Sequence, residues 1–241
     1  MHFQYINYAI RPIRHLLPTL MSFLVVLTFT ACQGDTASTK QSPTSKKATS
    51  DISTPTKTDK KVILFFGDSL TAGYELDEED AFPSLIEDKI DSLGLDYTVI
   101  NAGLSGETTS GGLQRIDWIM KQKVDIFFLE LGANDMLRGL PLEETRKNLS
   151  KIIATVQAKN PTAKIALCEM VALPNLGEDY GQAFARIFQD LSAPADIQHV
   201  PFLLDGVAGH PDLLLKDGLH PNAAGQIIVA DNIWKVLEGM L

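Results

Sequence analysis

The sequence predicts an α/β fold, a three-layer α/β/α sandwich built on a five-stranded parallel sheet. From residue 61 onward, short apolar runs alternate with longer amphipathic ones. The short runs are almost unbroken, as expected of strands buried on both faces. Five β–α repeats in succession imply a parallel sheet covered by helices on both faces and joined by right-handed crossovers.

The strand candidates, in order, are 62–66 (VILFF), 97–101 (YTVIN), 126–131 (IFFLEL), 164–170 (KIALCEM) and 199–203 (HVPFL). Between and after them lie helical patterns near 80–93, 108–121, 142–159, 178–192 and 222–239. Leu142, Leu149, Ile152, Ile153 and Val156 display the helical spacing within one of these. No internal repeat is visible.

Composition narrows the class of partner. The chain has 241 residues, 45% hydrophobic and 21% charged, which fits a globular protein with a sizeable core. Residues 1–60 hold 7 Lys/Arg against 3 Asp/Glu, and residues 61–241 hold 14 against 27. So acidic a body repels phosphate backbones, and nucleic acid is not an expected partner. The two cysteines, Cys32 and Cys168, form neither a disulfide framework nor a metal-type pair.

The first sixty residues read as export and tether. Arg11, Arg14 and His15 precede an apolar stretch over 16–31 that is short for a membrane span of roughly 20 residues. Phe29-Thr30-Ala31-Cys32 resembles the lipobox of bacterial lipoproteins, in which the cysteine is lipidated and becomes the mature N-terminus. An ordinary signal or a single-span anchor fits the apolar stretch too; the small-small-Cys run favours 1–31 as a lipoprotein-type signal peptide. Residues 32–60 would then be a lipidated Cys32 followed by a disordered linker, since Ile52 is the one large aliphatic residue in 33–60. Such a tether has a reach of roughly 30 Å. The expected location is exported and membrane-anchored, facing the periplasm or the cell exterior, and chemistry is expected in 61–241.

Ligands of open parallel sheets bind beyond the carboxyl ends of the strands. Four polar, glycine-containing segments fall there: Gly67-Asp68-Ser69-Leu70-Thr71-Ala72-Gly73-Tyr74, Asn101-Ala102-Gly103-Leu104-Ser105-Gly106-Glu107-Thr108, Leu131-Gly132-Ala133-Asn134-Asp135, and Asp217-Gly218-Leu219-His220-Pro221. Singly, each fits a helix cap, a permissive turn or a helix entry. Together at one rim they indicate an active centre.

These motifs, in this order over nearly all of 61–241, resemble the SGNH hydrolase (GDSL esterase/lipase) family, and in particular its branch of thioesterase I/lysophospholipase and bacterial arylesterases. Pro174-Asn175-Leu176-Gly177 looks like that branch's loop after the fourth strand. The resemblance implies a flavodoxin-like SGNH-hydrolase fold and a serine esterase working without a cofactor or metal. Ser69 would be the nucleophile, His220 its base, and Asp217 the group that orients the imidazole. The oxyanion donors implied are the backbone N–H groups of Ser69 and Gly103 and the side-chain amide of Asn134. Substrates would be acyl esters, with thioesters and lysophospholipids as further candidates, and the loops after Asn134 and Met170 would shape the acyl groove. A carbohydrate O-acetylesterase and a non-catalytic lipid-binding lipoprotein are the alternatives.

Other residues receive structural expectations. Ser105 suits turn chemistry, His199 and His210 satisfied structural positions, and Cys168 the core. Asp68 and Asp135 suit supporting hydrogen bonds. Glu130 and Glu169, inside apolar runs, are either buried and paired or turned toward the cleft. No Gly-x-Ser-x-Gly elbow, phosphate loop or dinucleotide fingerprint occurs.

Overall fold

The computed structural model describes residues 60–241; the signal, Cys32 and nearly all of the linker expected from the sequence lie outside the described residues. Five strands form one all-parallel sheet: β1 (Lys61–Gly67), β2 (Tyr97–Gly103), β3 (Ile126–Glu130), β4 (Lys164–Cys168) and β5 (Ile197–Val200). Their order is β2-β1-β3-β4-β5. The helices are α1 (Ser69–Ala72), α2 (Phe82–Ser92), α3 (Thr109–Ile119), α4 (Ala133–Leu137), α5 (Leu142–Lys159), α6 (Glu178–Leu191) and α7 (Ala223–Leu237).

Adjacent strand residues point to opposite faces, and the Phe65-Phe66 pair serves both. Phe65 meets Phe82 of α2 edge-on, with ring centroids 5.2 Å apart. The Phe66 ring lies 4.0 Å from the Arg115 guanidinium of α3. Helix α2 packs with α7, while α5 packs between α3 and α6, so each face has its own helical layer. Residues Ile63 to Phe66 and Ile126 to Leu129 are almost completely buried.

Strands β2 and β5 are the edges, and their burial is partial. The last strand departs from the sequence expectation of 199–203. It begins at buried Ile197 and ends at Val200, because Pro201 offers no N–H to continue the ladder. Two elements were not foreseen, the four-residue α1 and the five-residue α4. Both are too short to display a helical period, and both follow strands directly.

The chain leaves β1 for β2 on one side and crosses to β3 on the other, which creates a switch point where the carboxyl ends of β1 and β3 meet. Gly67 is in register with Gly103 of β2 and with Glu130 of β3. Ser69 follows β1 by two residues and Asn134 follows β3 by four, so the two motifs converge at the mouth of that crevice.

Candidate active site

Asp68 sets the geometry of the turn that carries Ser69. As N-cap of α1, its Oδ1 accepts the Leu70 N–H at 3.1 Å, while its Oδ2 accepts the Asn134 side-chain amide at 3.0 Å. Ser69 Oγ is thereby presented at the start of a helical turn, 2.7 Å from His220 Nε2. His220 Nδ1 lies 2.6 Å from Asp217 Oδ2. The other oxygen, Asp217 Oδ1, accepts the N–H groups of Leu219 and His220 at 2.9 and 3.1 Å. One carboxylate therefore fixes both the His220 ring and the loop that carries it.

The electrostatics of these two acids differ. Burial pushes Asp68 up to about 6, although the Leu70 N–H, the Asn134 amide, His220 and the Ser69 hydroxyl all favour its ionised form. At Asp217 a smaller burial effect is outweighed by the Leu219 N–H and by the His220 ring, backbone N–H and charge, which hold it at about 2. Asp217 is thus an anion throughout the working range of an imidazole. The Tyr74 ring lies over His220, with centroids 4.5 Å apart and planes tilted by 37°; nothing in the sequence spacing announced that contact.

The Gly103 N–H, expected as an oxyanion donor, is engaged within its own segment: it donates to Asn101 Oδ1 at 2.9 Å, and Gly103 is absent from the cleft wall. A Cβ there would lie 2.3 Å from the Ala72 backbone nitrogen, so this glycine lets β2 approach α1. The cleft wall is formed instead by Ser105 and Gly106, three positions further on. Gly106 adopts φ +78°, a glycine conformation, and its N–H has no hydrogen-bond partner among the described residues. Arg138 Nη2 donates to the Gly106 carbonyl at 2.7 Å. Arg115 bridges Glu107 and the Ala102 carbonyl. The loop is pinned from both ends.

The remaining polar residues support this frame. Asp135 accepts the Thr109 N–H and hydroxyl and the Thr145 hydroxyl, tying α4 to α3 and α5 behind Asn134. Glu130 is buried beneath the nucleophile turn. Glu169 directly follows β4, with its Oε2 3.1 Å from His199 Nε2. His210 precedes a short 3-10 turn. Burial pushes the Cys168 thiol well above its ordinary value, as befits a core residue.

Over the triad opens an apolar cleft of about 650 Å³. Leu70, Met136, Met170, Leu173, Phe202 and Leu214 contribute to its walls, so the segments after Asn134 and Met170 do border it. Among the described residues, no group of three His, Cys, Asp or Glu side chains is placed to hold a metal ion. No helix there is long and apolar enough to cross a membrane.

A flavodoxin-like parallel sheet thus carries Ser69, His220 and Asp217, hydrogen-bonded in sequence, at its carboxyl edge. Residues 65–227 match the GDSL-like lipase/acylhydrolase family, the SGNH hydrolases, and the chain belongs to it. It is 38% identical over 170 residues to an arylesterase of Vibrio mimicus, covering 70% of this chain and 84% of that protein. It is 33% identical over 220 residues to thioesterase 1/protease 1/lysophospholipase L1 of Escherichia coli K12, covering 91% of each. The crystal structure of the psychrotrophic esterase EstA from Pseudoalteromonas sp., inhibited by monoethylphosphonate, superposes with a TM-score of 0.70. That likeness has 35% identity and covers 74% of this chain and 97% of EstA. The protein is a carboxylic ester hydrolase.

Proposed function

We propose that the protein hydrolyses acyl esters through an acyl-enzyme on Ser69. The observation that carries this reading is the unbroken relay from Ser69 Oγ through His220 to Asp217, at 2.7 and 2.6 Å. A serine hydroxyl is a weak nucleophile until a base removes its proton. His220 Nε2 takes that proton as Ser69 Oγ attacks the carbonyl carbon, and Asp217 stabilises the imidazolium and holds the ring in place. The tetrahedral oxyanion is received by the Ser69 N–H, the Asn134 amide and the Gly106 N–H, the last in place of Gly103. His220 then gives its proton to the departing alkoxide. Water, activated by the same imidazole, cleaves the acyl-enzyme and regenerates Ser69.

The apolar cleft supports short- to medium-chain acyl esters as substrates, with lysophospholipids and thioesters after them. The Thr30-Ala31-Cys32 run supports export as a lipoprotein anchored through Cys32, and such a location favours esters and lysolipids over cytosolic acyl thioesters.

The test is hydrolysis of p-nitrophenyl esters of graded chain length by the full chain, beside Ser69→Ala. Turnover that disappears in the variant is the expected result. A folded wild-type chain inert on every ester would sink the reading. Activity confined to acetyl esters and acetylated glycans would move it to the carbohydrate O-acetylesterase.

A further inference from the structure

Beneath the nucleophile lies a carboxyl group that acyl transfer does not itself use. Glu130, the last residue of β3, is 2% exposed. Its Oε2 accepts the Asp68 N–H at 3.1 Å and the Thr71 hydroxyl at 2.6 Å. Its Oε1 has no hydrogen-bond partner among the described residues. A buried acid with an orphan oxygen costs stability. Room for it exists because residue 67 is glycine: a Cβ there would lie 2.0 Å from Thr71 Oγ1 and 2.4 Å from Glu130 Oε2.

The contacts sort three successive backbone N–H groups. That of Asp68 goes to Glu130, and that of Leu70 goes to the Asp68 side chain. Ser69, between them and first in α1, has no intrahelical acceptor. Its N–H is left for the cleft. Without Glu130, the Asp68 N–H would be a free donor next to the oxyanion donor, and the peptide before Ser69 could rotate.

We propose that Glu130 is a positioning residue for the nucleophile: from below, its carboxyl clasps the Asp68 N–H and the Thr71 hydroxyl, fixing the turn so that the Ser69 hydroxyl faces His220 and the Ser69 N–H faces the substrate. This rests on the esterase reading of Ser69. Burial first, and the charge of Asp68 second, drive Glu130 toward its neutral form. A neutral acid puts no second negative charge under a developing oxyanion. Glutamine presents an equivalent oxygen to the same two donors and should serve nearly as well.

The test compares full-length wild type, Ser69→Ala, Glu130→Gln, Glu130→Met and Thr71→Val, reading kcat, KM and the thermal midpoint on p-nitrophenyl butyrate. In Glu130→Met, kcat should fall by about 10- to 100-fold, the cost of a misplaced reacting group. KM should stay within about threefold, because ground-state binding is untouched. The midpoint should fall modestly, since methionine removes the orphan Oε1 but leaves the buried Asp68 N–H and Thr71 hydroxyl without an acceptor. Glu130→Gln should recover most of kcat, and Thr71→Val, which removes half the clasp, should fall between them.

A Glu130→Met enzyme with wild-type kcat overturns the inference, as does a glutamine variant as impaired as the methionine one. So does a loss of kcat that equals the loss of folded enzyme at the assay temperature, for that is a merely structural role. If Glu130→Met does not fold, Thr71→Val decides: unchanged kcat overturns the clasp, and reduced kcat at constant KM and midpoint supports it. An inert wild type, or an active Ser69→Ala, overturns the esterase reading and this inference with it. An active wild type whose Glu130 and Thr71 variants match it overturns this inference alone.

Discussion

Asn134 donates its side-chain amide to Asp68 Oδ2 at 3.0 Å, so the residue before the nucleophile holds a side chain that follows a different strand. Asp68 also caps the turn that presents Ser69. Loss of this one carboxylate therefore disturbs two parts of the site together. Asn134→Ala should lower kcat by about 10²- to 10³-fold, the typical cost of an oxyanion donor. Asp68→Ala should lower it by about 10-fold or more through misplacement of Asn134 and Ser69. Steady-state kinetics checks both, and an Asp68→Ala enzyme with wild-type kcat would refute the coupling.

Asp217→Asn should leave the loop contacts in place, because the side-chain oxygen can still accept the Leu219 N–H. It should nevertheless reduce kcat by about 10³- to 10⁴-fold, since an amide neither holds the catalytic tautomer nor stabilises an imidazolium. Retention of more than a tenth of wild-type kcat would remove Asp217 from the relay.

The two acids predict opposite effects of pH on stability. Asp68 is raised from 3.8 to about 6, so in that interval the folded chain binds a proton that the unfolded chain has released. Its contribution is present below about pH 4 and lost as pH rises through about 6. Asp217, lowered to about 2, contributes above about pH 4 and loses that contribution as pH falls through 2. Urea unfolding of wild type and Asp68→Asn from pH 4 to 7 should diverge, wild type losing on the order of 2–3 kcal/mol relative to the variant. Parallel curves would contradict the raised value.

Two glycines in one loop should respond differently to alanine. Gly103→Ala forces a Cβ against the Ala72 backbone and should destabilise the fold by about 1–3 kcal/mol. A Cβ at Gly106 would meet only Arg138 Nη2, at 3.5 Å, but φ is positive, so Gly106→Ala should shift its N–H and reduce kcat by about 10-fold or more while unfolding less readily than Gly103→Ala. Denaturation and kinetics on the pair separate packing from catalysis.

Met170 borders the cleft beyond β4. Met170→Trp should shorten the preferred acyl chain, cutting kcat/KM for octanoyl esters by about 10-fold or more while sparing acetyl esters. A uniform loss across chain lengths would place Met170 outside the acyl path.

Much of this architecture was legible in the residues. Strands β1 and β3 are buried on both faces and spell themselves as unbroken apolar runs. Strand β5 misled because it is an edge: Gln198 and His199 interrupt its pattern, and Pro201 ends it where the apolar letters continue. Helices α1 and α4 are shorter than any period that could reveal them. Ser69, Asp217 and His220 were readable because short motifs carry them. The proposed preference for Gly106 over Gly103 was not, because both lie in one six-residue string, and dihedral angles and packing distinguish them rather than spelling. Glu130 sits in a run whose alternation is hidden when both faces are buried, so its direction could be known only in three dimensions.

Strand β1 enters the sheet at Lys61 and delivers the nucleophile from its far end. Seven residues of strand span roughly 23 Å, so Lys61 and the mouth of the cleft lie at opposite edges of the sheet. A bead, electrode or fusion partner coupled ahead of Lys60 would therefore meet the domain at its back, leaving the mouth open to bulky substrates, whereas one coupled through the loop around Leu219 would stand in the doorway.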